Sequence, residues 1–346
     1  MYDFLKEVAP KMIIGCDKSL SLSRKYIQYK RLTQIPMIPQ LMQYQVAEHL
    51  FRIETASDFY PPEALPSLTP FIVPLNTDGE LLFQLKITDR RLGLTPDGLL
   101  CPGDISFDWE DARCIIRPLP AREHEVFLIP YSTRQVYFMQ CRNGFRDCVA
   151  YLPMEDPAVE GHRPGTEASF AANNFLMMLY AFNAARYDTL LMHASVIQSG
   201  GKGYLFLGKS GTGKSTHTSL WLEHVPGCRL LNDDNPIVRL DARTGQATVY
   251  GSPWSGKTPC YLKESAPLGA FVRLEQAPQN EIEREDKVHA FAALLPSCSC
   301  LKQDKEIYDA IVSTVTRLAM LCPVFHLKCL PDKEAALLCR DTVECA

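Results

Sequence analysis

Long apolar runs are absent from this chain. The longest strongly apolar stretch, Phe175 to Phe182, is far shorter than the ~20 residues of a membrane-spanning helix, and Asn173, Asn174, Asn183 and Arg186 flank it. No N-terminal segment joins basic residues, an apolar run and a small-residue cleavage site, so neither secretion nor membrane insertion is expected. An excess of either charge is also missing. The 36 basic residues stand against 40 acidic ones, a formal net charge of −4, which disfavours nucleic acid or an anionic membrane as the main partner. The 13 cysteines are odd in number and scattered, which suits a reducing compartment better than a disulfide framework. Cys298 and Cys300, with Cys322, His326 and Cys329 downstream, match no familiar zinc spacing, so buried reduced thiols are expected. No repeat or low-complexity tract occurs. Together these absences lead to the expectation of a cytoplasmic enzyme.

What is present is enough for two domains. The chain has 346 residues, 46% of them hydrophobic and 22% charged, the balance of a globular protein with a sizeable core. Residues 1 to 160 read as a β-rich domain of unassigned role. Phe71 to Leu75 and Leu81 to Ile87 flank the turn cluster Asn76-Thr-Asp-Gly79 and predict a hairpin. Further strands are expected at Cys114 to Arg117, Val126 to Ile129 and Gln135 to Gln140. The first 60 residues are ambiguous, with Gln40 to Phe51 reading as helix. Met154 to Thr166, rich in Pro, Gly and charge, is the expected boundary.

Residues 166 to 346 switch to an α/β pattern. A helix from Thr166 to about Arg186 is apolar on most sides and should be buried. Strands follow at Leu190 to Gln198 and Gly203 to Leu207, then a helix to about Glu223. Short strands are expected at Arg229 to Leu231, Ile237 to Leu240, Ala247 to Tyr250 and Ala270 to Leu274. Helices near Lys287 to Leu295, Ile307 to Leu321 and Asp332 to Cys339, with a strand at Val324 to Lys328, complete the chain.

Gly208-Lys209-Ser210-Gly211-Thr212-Gly213-Lys214-Ser215 matches G-x-x-x-x-G-K-S. Its glycines let backbone N–H groups turn inward around phosphate oxygens, and the helix that follows points its positive end at them. Lys214 would reach the β- and γ-phosphates and Ser215 would offer a hydroxyl to Mg²⁺. Thr216 extends the cradle, and Thr216 to Thr218 form the first helical turn without a catalytic role. Asn232-Asp233-Asp234-Asn235-Pro236 alone reads as a turn. Nineteen residues beyond a phosphate loop, two adjacent acids can supply a base and a metal ligand. Asp233 as base and Asp234 as ligand is the preferred division, with the reverse open. His193 is either a satisfied core residue or a neighbour of the phosphates that makes activity pH-sensitive. Gly251 to Thr258 reads as a loop in which Lys257 can meet phosphate and Trp254 can wall a pocket.

From His193 through Asp234 the chain resembles the catalytic domain of HPr kinase/phosphorylase, with its His-bearing strand, short apolar strand, glycine loop and pair of aspartates. The Ser-Gly-Thr-Gly-Lys core is also similar to the loop of ATP-dependent phosphoenolpyruvate carboxykinase, which shares that nucleotide-binding fold. The resemblance implies an α/β P-loop catalytic domain with a mixed sheet, behind the β-rich N-terminal domain. It also implies a serine-kinase-like phosphotransferase using ATP and Mg²⁺. Lys214 would bind phosphates, Ser215 and Asp234 metal, Asp233 would be the base, and His193 would sit by the phosphates. Strong similarity covers about residues 190 to 260. The acceptor is expected to be a hydroxyl on a protein, peptide or small molecule rather than HPr itself, and a homo-oligomer stays open. A carboxykinase-like enzyme, a plain NTPase and a nucleotide-binding regulatory module are the alternatives.

Overall fold

Alternating burial makes the first half a sheet. Along Leu81–Thr88 the core-facing residues Phe83, Leu85 and Ile87 alternate with more exposed ones, as a strand with one face on a core requires. The computed structural model describes residues 40–55, 59–109, 111–153, 166–256 and 258–346, all within the compact unit Pro39–Ala346. It is a mixed α/β protein with two large mixed sheets, one curled into a half-barrel.

The first sheet contains β1 (Gln40–Val46), β2 (His49–Thr55), β3 (Ile72–Val73), β4 (Leu81–Thr88), β5 (Ile105–Trp109), β6 (Ala112–Leu119), β7 (Glu123–Pro130), β8 (Tyr137–Arg142) and β9 (Asp147–Tyr151). Its spatial order is β3-β1-β2-β4-β9-β8-β7-β6-β5. Two expectations fail here. Gln40 to Phe51 is a hairpin, not a helix: β1 and β2 pair antiparallel from Gln40↔Thr55 to Val46↔His49. The turn residues Ala47 and Glu48 both have positive φ, 45° and 66°, as a tight two-residue hairpin turn demands. No glycine or asparagine announces that turn, and Ala and Glu favour helix locally. The hairpin expected across Asn76 to Gly79 is absent as well. β3 pairs antiparallel with β1, and β4 runs parallel to β2 and β9.

The second sheet contains β10 (Thr189–Leu191), β11 (Ala194–Ser199), β12 (Lys202–Leu207), β13 (Arg229–Asp234), β14 (Ile237–Leu240), β15 (Ala247–Tyr250), β16 (Ser265–Gln276), β17 (Glu281–Arg284) and β18 (Val324–Cys329). The 12-residue β16 binds its parts together. Its start pairs with β15, its middle runs parallel to β12, and its end runs parallel to β18. Central β12 therefore has neighbours on both sides, β11 and β16. Its residues Gly203 to Leu207 are all buried, the continuous apolar run of a strand covered on both faces.

Helices α1 (Thr166–Ala184), α2 (Lys214–His224), α3 (Lys287–Leu294), α4 (Lys305–Leu321) and α5 (Lys333–Glu344) complete the fold. α1 is buried around nearly its whole circumference because it packs against β4 and β8 of the first sheet and β10 of the second. One apolar cluster consequently runs from Phe51 and Phe83 through Phe175 and Leu179 to Val238 and Phe271. Polar links cross the same seam. His49 Nε2 lies 2.8 Å from Thr189 Oγ1, Tyr180 donates to the Val46 carbonyl at 3.2 Å, and Glu306 pairs with both Arg122 and Arg186. The expected boundary at residues 154–165 lies outside the described residues. Among the described residues every cysteine is a free thiol, and no helix is long and apolar enough to cross a membrane.

Candidate active site

β12 ends at Leu207, in the middle of its sheet, and the chain turns at once into the glycine loop and then α2. Gly211 and Gly213 have φ of 80° and 103°, left-handed values that side-chain-bearing residues rarely adopt. A Cβ on either would meet nothing within 4 Å, so backbone conformation, not crowding, calls for glycine there. The turn is held by Thr212, whose N and Oγ1 both donate to the Lys209 carbonyl at 3.1 and 2.7 Å. Gln276, at the end of β16, steadies it from outside by donating to the Gly211 carbonyl at 3.2 Å. No side chain caps α2 at Gly213. Its first N–H groups and the positive end of its dipole are thus available to an anion. Lys209, Ser210, Ser215 and Thr216 are exposed around this cradle.

Two connected sets of side chains lie beneath it. In the first, Asp233 Oδ1 accepts from Ser195 at 3.0 Å and from Ser215 at 3.3 Å. Thr218 Oγ1 lies 2.9 Å from Ser195 Oγ and 2.8 Å from the Lys214 carbonyl oxygen. Asp233 is only 5% exposed. Its position follows from strand register, since β11 sets Ser195 opposite Asp233 while Thr218 lies one helical turn beyond Lys214.

In the second set, Lys214 Nζ donates to the Gly208 carbonyl at 2.9 Å and to His193 Nε2 at 2.8 Å. A charged ammonium can only donate, so Nε2 accepts and the ring proton resides on Nδ1. That nitrogen lies 3.0 Å from Asp234 Oδ1, which completes a Lys214–His193–Asp234 chain. Burial pulls the Lys214 ammonium below the usual lysine range, opposed by the nearby Asp234 and Asp233 carboxylates. His193 occupies the break between β10 and β11, with its N–H bonded to the Ser297 carbonyl at 2.7 Å. Its ring is open rather than sealed in the core.

Asp234 is held in an unusual backbone state, with φ of 110°. Asn235 donates to its Oδ2 at 2.6 Å, and Ser255 reaches the Asp233 carbonyl at 2.9 Å. A Cβ on Gly256 would come within 3.0 Å of the Asp234 Cβ, so glycine lets this loop press against the acidic pair. Below, the fully buried Asn232 donates to Ser252 Oγ and to the Trp254 carbonyl, both at 3.2 Å. Such strain at a polar cluster is typical of functional sites.

The structure thus gathers His193, Lys214, Ser215, Asp233 and Asp234 within one hydrogen-bonded group. Trp254 is 2% exposed and lines the adjoining cleft, whereas Lys257 lies outside the described residues. Sequence reasoning missed Ser195, Asn232, Asn235 and the positioning role of Thr218. The one-turn spacing from Lys214 along α2 is the signal that would have found Thr218, which the sequence reading left without a role; Ser195 is found only through pairing of β11 with β13. It also missed that α1 and the first sheet wall the cleft. Among the described residues no three His, Cys, Asp or Glu side chains are grouped to hold a metal. A Mg²⁺ ion would fit Ser215 and Asp233, two hard oxygens close together beside the cradle, because this ion takes few protein ligands and fills its shell with phosphate and water. No protein-family model matches the chain, and no curated protein matches it.

Proposed function

We propose that this protein is an ATP- and Mg²⁺-dependent kinase that transfers the γ-phosphoryl group to a hydroxyl acceptor on a protein, peptide or small molecule. One observation carries the reading: Ser215–Asp233 and Lys214–His193–Asp234 converge beneath a glycine loop that opens at a helix N-terminus. Phosphoryl transfer depends on positioning and charge neutralisation, and these groups supply both. In the same reading, residues 166–346 form an HPr-kinase-like nucleotide-binding domain, in keeping with a loop that follows the central strand of a mixed sheet.

The surroundings of the two acids favour the reverse of the division preferred from sequence. Asp233 is buried and bonded to Ser215, so this pair would hold the metal, which when bound would neutralise charge on the phosphate oxygens. Asp234 lines the open cleft and is the better placed base. It takes the acceptor's proton as the acceptor oxygen bonds to the γ-phosphorus and the bridging bond to the β-phosphate breaks, its electron pair leaving with ADP. His193 aims Asp234 by donating to it through Nδ1. Lys214 turns from His193 and the Gly208 carbonyl toward the phosphates.

Incubation of the purified chain with γ-labelled ATP, Mg²⁺ and host-cell extract tests this, with Lys214→Ala and Asp234→Ala alongside. Label is expected in one protein, peptide or small-molecule fraction with wild type only. Release solely as inorganic phosphate would replace the kinase by an NTPase, and ATP binding without any movement of label would point to a regulatory module.

A further inference from the structure

A cleft of about 830 Å³ adjoins the acidic pair, within the roughly 300–1,000 Å³ of small-ligand sites. Asp234, His193, Lys209 and Ser210 belong to its lining, so whatever occupies it reaches the reacting groups. The remaining walls are largely aromatic and apolar. Phe170 and Met177 come from α1, Trp254 from the loop after β15, and Phe107 and Trp109 from β5 of the first sheet. Phe107 is 37% exposed, and its ring centroid lies 6.2 Å from that of Trp109. Trp109 is half-buried and packs in part against the main apolar cluster, whereas Phe107 belongs to none of the apolar clusters, so this outermost strand offers the cleft aromatic surface that the core does not fully use.

The polar lining is neutral in the main. Among the described residues Asn173, Tyr261 and Ser299 reach the cleft with no side-chain hydrogen-bond partner, free to meet hydroxyl or amide groups. The charged residues of the described lining are Lys209, on the loop, and the carboxylates Asp108 and Asp234. An anionic acceptor would face the Asp234 carboxylate beside the reacting groups, while Asp108 is already paired with Arg113 and Tyr131.

We propose that this cleft is the acceptor pocket, that it takes an uncharged alcohol carried on an apolar, aromatic-sized body, and that Phe107 and Trp109 give the first sheet its part in selecting it. The inference rests on the kinase reading. The shared chemistry is met by a free aromatic alcohol or by a seryl residue beside an aromatic one in a peptide.

The test uses the full chain with Mg²⁺ and γ-labelled ATP on four probes: 2-phenylethanol, N-acetyl-Ser-Phe-amide, glycerate and glucose 6-phosphate. Label should pass to an uncharged aromatic probe, and which of the two accepts it separates free alcohol from peptide. Trp109→Ala should raise KM for that probe about tenfold, with KM for ATP unchanged, and Trp109→Phe should restore most of the loss. Equal or better transfer to the anionic probes, or an unaltered KM in Trp109→Ala, overturns the pocket while leaving the kinase standing. If no probe is labelled, calorimetric titration of the same four decides the pocket separately. Uncharged probes that bind wild type and not Trp109→Ala uphold it, and their failure to bind wild type ends it.

Discussion

Asp233 and Asp234 are neighbours in sequence but occupy opposite surroundings, one enclosed by hydroxyls and one open to a cleft beside an imidazole. That contrast yields a split in kinetics. Asp233→Asn should raise the Mg²⁺ concentration for half-maximal activity by about tenfold or more, as loss of a carboxylate ligand does. Asp234→Asn should lower kcat by roughly 100-fold or more with that concentration unchanged, as loss of a base does. Titrating Mg²⁺ in both variants checks the pair, and the opposite pattern would return the roles to their original order. Two further histidines act on stability. Burial lowers the imidazoles of His49 and His217 from 6.5 to about 4, so the native state leaves them neutral while the unfolded chain protonates them. Stability present above pH 6.5 is therefore lost as pH falls toward 4, by at most about 3 kcal/mol for each. Urea midpoints measured from pH 7 to 4 should fall, and His217→Gln should flatten the decline.

Among the elements, the hairpin of β1 and β2 shows how tertiary contacts override local preference. Its two left-handed turn residues are strained by roughly 1–2 kcal/mol each. The turn is fastened to the second sheet, where Arg239 pairs with Glu48 and Tyr250 donates to Glu48 at 3.1 Å. Ala47→Val, which places a branched side chain at φ of 45°, should destabilise by about 2 kcal/mol. Ala47→Gly should be neutral or mildly stabilising in the same denaturation experiment. Strands and helices of the second half were far more legible. Ile237 to Leu240 and Ala247 to Tyr250 coincide with β14 and β15, and Lys287 to Leu295 differs from α3 by one residue, because Asp286 caps that helix through its own side chain. β17 escaped notice: Glu281-Ile-Glu-Arg284 carries little apolar signal and forms by pairing with β18.

Across the molecule, the apolar cluster that runs through α1 couples the two sheets. The chain should unfold in one cooperative transition, with tryptophan fluorescence and far-ultraviolet circular dichroism giving the same midpoint. A fragment of residues 166–346 would bare the face of α1 that covers β4 and β8. It should aggregate or fold loosely, and two separated transitions in the full chain would contradict this coupling.

Local chemistry was enough to place the glycine loop, the lysine and serine at its end, the paired acids and the strand–loop–helix around them. Backbone conformation and helix start signals act over a few residues, and a single chain segment carries them. The partner of each acid, the path from Lys214 through His193 to Asp234, and the aromatic wall from β5 depend on strand pairing and packing between segments far apart in sequence. Those relations arise when β11 pairs with β13 and when α1 is enclosed between two sheets, so the tertiary structure alone decided them.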